Sequence, residues 1–143
     1  MLFRSNGTPV MSQFPSWSDE LAVGNSQIDI QHRRLVAICN RASRCAESSE
    51  VDARREFFSV LNDFATLIAE HFDAEEKFLA LNNCPTLAEH RAHHERFRER
   101  LLDLLFSGTA GLLDKKTLAR LARDYLLSHL TETDLPNKHY MRE

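Results

Sequence analysis

Turn-forming residues are scarce: the 143-residue chain has only four glycines and four prolines. That argues against β-sandwiches and barrels, whose many short strands need turn residues at close, regular intervals. A basic surplus is also missing. Lys and Arg number 18 against 21 Asp and Glu, the formal charge is −3, and the pI is about 6.2. Such a balance gives no electrostatic footprint for nucleic acid. The basic residues are interspersed with acids, so an anionic membrane surface is not indicated either. No segment reaches the ~20 apolar residues that span a bilayer, and MLFRSNGTPVMSQFPSW at the start lacks the apolar run of a signal peptide. The three cysteines, Cys39, Cys45 and Cys84, are odd in number and form no CxxC pair. Free thiols in a reducing cytoplasm are therefore expected. Two metal motifs are absent as well: the chain has no His-Glu-x-x-His and no Glu-x-x-His, the latter being needed twice in ferritin-like di-iron bundles.

What remains is 43% hydrophobic and 27% charged, enough for one domain with a core of its own. Residues 1–26, with Pro9, Pro15 and Gly24 as breakers, read as an extended arm that Trp17 pins to the body. Four segments of helical period follow. The first, about Gln27 to Ala46 with Ser26 as N-cap, turns Ile28, His32, Leu35, Cys39 and Ala42 inward. The second, about Val51 to Leu81, carries Phe57, Leu61, Phe64, Ile68, His71, Glu75 and Phe78 in alternating steps of four and three. The third opens on a capping box at Thr86-Leu87-Ala88-Glu89, aligns Leu87, His90, His94, Phe97, Leu101 and Leu104, and ends before Gly108 and Gly111. The fourth starts at an Asp114 N-cap, aligns Leu118, Ala122, Tyr125 and His129, and is stopped by Pro136. Short connections predict an all-α fold, an antiparallel up-down four-helix bundle over 27–135, with the extended N-terminal arm before it and a short tail at 136–143.

Polar residues belong on the outside of a bundle. Here His32, His71, Glu75, His90, His94 and His129 fall on apolar stripes, at least one per helix. One inward histidine is usually a satisfied core residue. Five of them with a carboxylate are better explained by a shared metal, which removes the cost of burying them. His71-x-x-x-Glu75 and His90-x-x-x-His94 each put two donors on one helix face. Asp134 follows His129 by five residues, a poor helix-face spacing, so it is expected to reach in from a fraying helix end. Without a cysteine pair, imidazole and carboxylate donors suit iron, zinc, manganese or copper. Seven donors are too many for one ion and suit two ions bridged by both carboxylates. Asp73, Glu76 and Glu132 face away on a helical wheel, and His139 lies beyond Pro136 at the surface.

From Trp17 to Asp134 the chain resembles the bacterial hemerythrins. Ile28-Asp29-Ile30-Gln31-His32 is similar to their first-helix signature, and His71-x-x-x-Glu75, His90-x-x-x-His94 and His129-x-x-x-x-Asp134 follow in their order. The resemblance implies reversible dioxygen binding, without enzyme activity, at two iron ions with a bridging oxo or hydroxo. His90, His94 and His129 would hold one iron and His32 and His71 the other. Glu75 and Asp134 would bridge them, and dioxygen would bind end-on at the iron with two histidines. Such a histidine-rich set neutralises less charge than a four-carboxylate set, which disfavours oxidation beyond the ferric level. Leu35, Phe72, Tyr125, Leu126 and Leu130 are candidates for an apolar dioxygen pocket, although each also reads as ordinary core. The family often has tryptophan where Tyr125 stands, so a hydroxyl is expected near the site. A di-iron enzyme reducing peroxide or nitric oxide, an iron buffer and a metal-free helical module are the competing readings. An oxygen-consuming enzyme or a reductase is the kind of protein partner the leading one calls for.

Overall fold

The computed structural model describes residues 16–48 and 53–143. Pro9, Pro15 and the expected helix start at Val51 lie outside the described residues. The described residues form a four-helix bundle without strands: α1 (Ser26–Glu47), α2 (Ala53–Leu81), α3 (Leu87–Thr109) and α4 (Lys115–Asp124), which runs on as a π-helix over Tyr125–Asp134 and a 3₁₀ helix over Leu135–Tyr140. α1 packs closely against both α2 and α4, and α2 against α3.

Helix ends show where local chemistry acted and where it was overridden. Asn25, not the expected Ser26, caps α1. Its side-chain oxygen accepts from the Ile28 N–H at 3.1 Å, and its Nδ2 donates to the Met141 carbonyl at 2.7 Å. Gly24 before it has φ +88°, a conformation that suits only glycine readily. Asp114 caps α4 as expected, accepting from the Thr117 N–H at 3.1 Å. The capping box at Thr86 does not form: its hydroxyl lies 3.3 Å from Cys84 Sγ and makes no cap bond. Gly108 does not end α3 but lies buried inside it, where a Cβ would come within 3.1 Å of the Phe57 and Phe58 rings. It permits close approach of α3 to α2. Gly111, with φ +99°, makes the turn that follows.

The inward stripes pack as two apolar clusters. The larger is built around Leu35, Cys39, Phe57, Leu61, Phe64, Ile68, Phe72, Phe97, Leu118, Leu126 and Leu130. The smaller contains Val23, Ile28, Ala74, Leu79, Cys84 and Met141. On α1 and α2 the inward polar residues fall between members of the two clusters, and on α3 they fall between Leu87, packed against the smaller, and Phe97 of the larger. Trp17 is half-buried against the larger cluster with the Arg33 guanidinium 5.1 Å from its ring centre.

The chain after Pro136 is not a free tail. Pro136 sits in the first turn of the 3₁₀ helix, a position that tolerates its missing N–H. Asn82 Nδ2 donates to the Tyr140 carbonyl at 3.0 Å, Glu143 accepts from Ser26, and Met141 is fully buried. Met141→Ala is expected to lower stability by about 2–5 kcal/mol, the usual cost of emptying such a site, seen as a lower midpoint in thermal or urea unfolding.

Candidate metal centre

Seven polar side chains meet in the middle layer. α1 supplies His32, α2 supplies His71 and Glu75, α3 supplies His90 and His94, and the π-helical stretch supplies His129 and Asp134. Six of the seven are at most 1% exposed, and the His129 side chain is 10% exposed. The π-helix accounts for the five-residue spacing of His129 and Asp134. Its bonds run from residue i+5 back to i, as the Leu135 N–H to Leu130 carbonyl bond shows, so residues five apart share a face. Asp134 therefore belongs to a regular helical segment rather than to a fraying end.

The two carboxylates divide their oxygens between two sets of histidines. Glu75 Oε2 lies 3.2 Å from His71 Nε2, while Oε1 lies 3.2 Å from His94 Nε2 and 3.5 Å from His129 Nε2. Asp134 Oδ2 lies 3.4 Å from His32 Nε2, while Oδ1 lies 3.1 Å from His129 Nε2 and 3.8 Å from His90 Nε2. One set is His32, His71, Glu75 and Asp134; the other is Glu75, His94 and His129, and each is compact enough to surround one cation. His90 stands slightly back from the second set, and its Nε2 is buried without a hydrogen-bond partner.

The outer ring nitrogens explain why the inner ones face one another. His71 Nδ1–H donates to Gln31 Oε1 at 2.9 Å, His90 Nδ1–H to the Thr86 carbonyl at 3.2 Å, and His94 Nδ1–H to Glu76 Oε2 at 2.7 Å. With the ring proton on Nδ1, each Nε2 presents a lone pair to the interior. Yet His32 and His71 Nε2 are 3.2 Å apart, and so, at 3.3 Å, are those of His94 and His129. Glu75 Oε2 and both Asp134 oxygens have no hydrogen-bonded donor at all. Acceptors gathered around acceptors in a buried layer are unfavourable unless a cation lies among them. The donor set fits two such ions.

Without a cation, protons act as partial substitutes. Burial pushes the His129 pKa down, but Asp134 and Glu75 outweigh it and bring it up to about 10. Burial raises the Glu75 pKa, but the His129, His71 and His94 imidazoles gathered against its oxygens hold it well below the ordinary carboxylate value. His71 is shifted down, chiefly by burial.

Gln31 and Glu76, which stand behind His71 and His94, are positions that helical periodicity alone misses. Glu76 does not face away. It is 19% exposed, bonded to His94, and paired with Arg91 at 3.3 Å. Asp73 and Glu132 are exposed, as expected. Of the pocket candidates, Phe72 stacks on His94 with ring centres 3.8 Å apart and planes 5° from parallel. Tyr125 stacks on His129 at 4.8 Å and meets His71 edge-on at 6.1 Å. Leu35, Leu126 and Leu130 are buried in the adjoining larger cluster. A cleft of about 430 Å³ runs in from the surface over Phe72, Tyr125, His94 and His129, with His93, Arg96 and Glu132 at its rim. Cys39, Cys45 and Cys84 are free and buried, outside this layer.

The model of the hemerythrin HHE cation binding domain matches residues 23–135. The chain belongs to the hemerythrin family. Among its relatives is a hemerythrin-like protein of Naegleria gruberi, 27% identical over 92% of this chain and 96% of its own length. A bacteriohemerythrin of Stenotrophomonas maltophilia is 27% identical over 82% of this chain and 75% of its own. A myohemerythrin of Riftia pachyptila is 28% identical over 85% and 89% respectively. For a hemerythrin-family chain, a buried cluster of His, Glu and Asp is where a cation would sit. Among the described residues no helix is long and apolar enough to cross a membrane.

Proposed function

We propose that this hemerythrin-family protein holds two iron ions and binds dioxygen reversibly at them, for sensing, storage or delivery, rather than acting as an enzyme. His90, His94 and His129 would hold one ion and His32 and His71 the other, with Glu75 and Asp134 placed between the two sets. The observation that carries this is the splitting of each carboxylate's oxygens between two histidine sets whose lone pairs face inward. Iron held there would supply the redox chemistry that reversible dioxygen binding needs. The chain's residues position and enclose. Phe72 and Tyr125 cover the His94 and His129 rings beneath the cleft, and the two apolar clusters flank the layer.

The test is an anaerobic-to-air titration of reduced, iron-loaded protein with iron quantified on the same sample. A visible charge-transfer band that appears with air and reverses on removing it supports the reading. Irreversible bleaching to a ferric product with turnover of a reductant makes the site a di-iron enzyme. Uptake of more than two irons per chain makes it a buffer, and iron content near zero overturns every metal reading.

Two further outcomes are expected. The Tyr125 hydroxyl is buried without a partner, and burial with the Asp134 and Glu75 charges keeps its pKa well above the usual value. It is therefore a neutral donor available to a ligand. Tyr125→Phe should speed decay of the oxygenated form by about three- to tenfold, the worth of one hydrogen bond; an unchanged decay rate removes the hydroxyl from the site. The second outcome concerns protons. Metal-free His129 remains protonated up to about pH 10, against about 6.5 when unfolded. The stability this gives the metal-free protein is complete below about pH 6.5 and is lost as pH rises through about 10. A cation must displace that proton, so metal uptake near pH 7 should release about one proton from His129 and weaken as pH falls. Calorimetry in buffers of different ionisation enthalpy measures it.

A further inference from the structure

The five histidines are not equally supported from behind. His71 leans on a neutral amide, His90 on a backbone carbonyl, and His32 Nδ1 is buried with no partner. His94 alone among the described residues has a carboxylate on Nδ1: Glu76 Oε2 at 2.7 Å, the shortest hydrogen bond to any histidine of the layer. That carboxylate is itself anchored. Arg91 Nε is 3.3 Å from its Oε1 and an Arg98 nitrogen 3.9 Å from its Oε2. Arg98 also places its guanidinium 5.2 Å from the centre of the Phe72 ring, which lies flat on His94. The imidazole is thus held on its face by Phe72 and at its outer nitrogen by Glu76, and Arg98 touches both supports. A carboxylate behind an imidazole fixes its orientation and strengthens the donor on its far side.

We propose that Glu76, backed by Arg91 and Arg98, is a positioning residue that makes the His90–His94–His129 position the tighter of the two cation sites. This rests on the two-metal reading above and goes beyond it by assigning an order of filling. In the wild-type chain the first cation enters the three-histidine position and the second enters beside His32 and His71. Glu76→Gln keeps an acceptor for the His94 ring proton but removes the charge, so the fold is retained while the asymmetry is lost.

The test uses cobalt(II), which binds without redox chemistry, titrated anaerobically into the full chain. Paramagnetically shifted Nδ1–H resonances report which histidines are ligated at each step. Wild type should show His94 shifted in the first step and His71 in the second. Glu76→Gln should weaken the three-histidine step by about 10- to 100-fold and leave the other within about threefold, so that the two steps merge or exchange order. Arg91→Gln with Arg98→Gln should weaken the same step by less, and this pair carries the test if Glu76→Gln fails to fold by circular dichroism. Equal weakening of both steps, a change confined to the His71 step, or no change overturns the inference. Wild-type protein that takes up no cobalt or iron overturns the two-metal reading itself.

Discussion

Glu75→Gln should abolish loading of both metal positions at once, whereas loss of any single histidine should first weaken one. Each oxygen of Glu75 faces a different histidine set: Oε2 is 3.2 Å from His71 Nε2, and Oε1 is 3.2 Å from His94 Nε2. Gln has one acceptor where the carboxylate has two, and its amide nitrogen would point donors at a site built for a cation. It also removes one of the two buried negative charges that offset the ions. The readout is metal content together with thermal stability. Wild-type protein should gain about 4 kcal/mol for each position when free metal stands 1,000-fold above that position's dissociation constant, and Glu75→Gln should gain almost nothing. The metal-free variant supplies the control. His129 there loses one of the two carboxylates that raise its pKa, so the upper limit of its protonation should move below pH 10. Two metals per chain in Glu75→Gln would contradict the bridging assignment, and one retained metal would show that Glu75 serves only one position.

Helical periodicity made most of the fold legible because the inward stripes have to satisfy only one condition, burial, at a repeat of 3.6 residues. Ile28, His32, Leu35, Cys39 and Ala42 are all buried where the stripe predicts. Features decided by competition between groups were not legible. Thr86 has the sequence of a capping box, but Cys84 takes its hydroxyl. Gly108 looks like a terminator, but two phenylalanine rings need its missing Cβ. The His129–Asp134 spacing is poor for an α-helix and fits a π-helix, and nothing local in Tyr125–Asp134 announces the change of hydrogen-bond register. A helical wheel placed Glu76 outside because it considers one helix at a time. The bond to His94 is a contact between α2 and α3. The inward placement of charged residues was itself the best clue to the layer, because burial of such groups is costly without a partner.

The run Glu89-His90-Arg91-Ala92-His93-His94 offers two pairs at helical spacing, 90 with 93 and 90 with 94, and the structure separates them. His90 and His94 are at most 1% exposed, while His93 lies on the exposed face with Arg96 3.1 Å from its Nδ1. Burial and the neighbouring Arg96 both lower the His93 pKa, so it is chemically able to bind a metal at pH 7. Its position argues against it: the ring lies exposed at the rim of the cleft, with Nδ1 turned to Arg96 rather than to Glu75 or Asp134. His94→Ala should remove the air-induced band and reduce metal content from two per chain to one or less. The change takes away a donor beside Glu75 and also the flat surface on which Phe72 rests. His90→Ala should likewise remove the band, by opening the three-histidine position. His93→Ala should keep the band and two metals and change stability by no more than about 0.5 kcal/mol, as expected at an exposed site. The comparison is informative because all three variants lose the same imidazole from the same helix, so any general effect on α3 is shared. A band lost in His93→Ala and kept in His94→Ala would move the inner face of α3 by one residue and, with it, the pairing of Glu76.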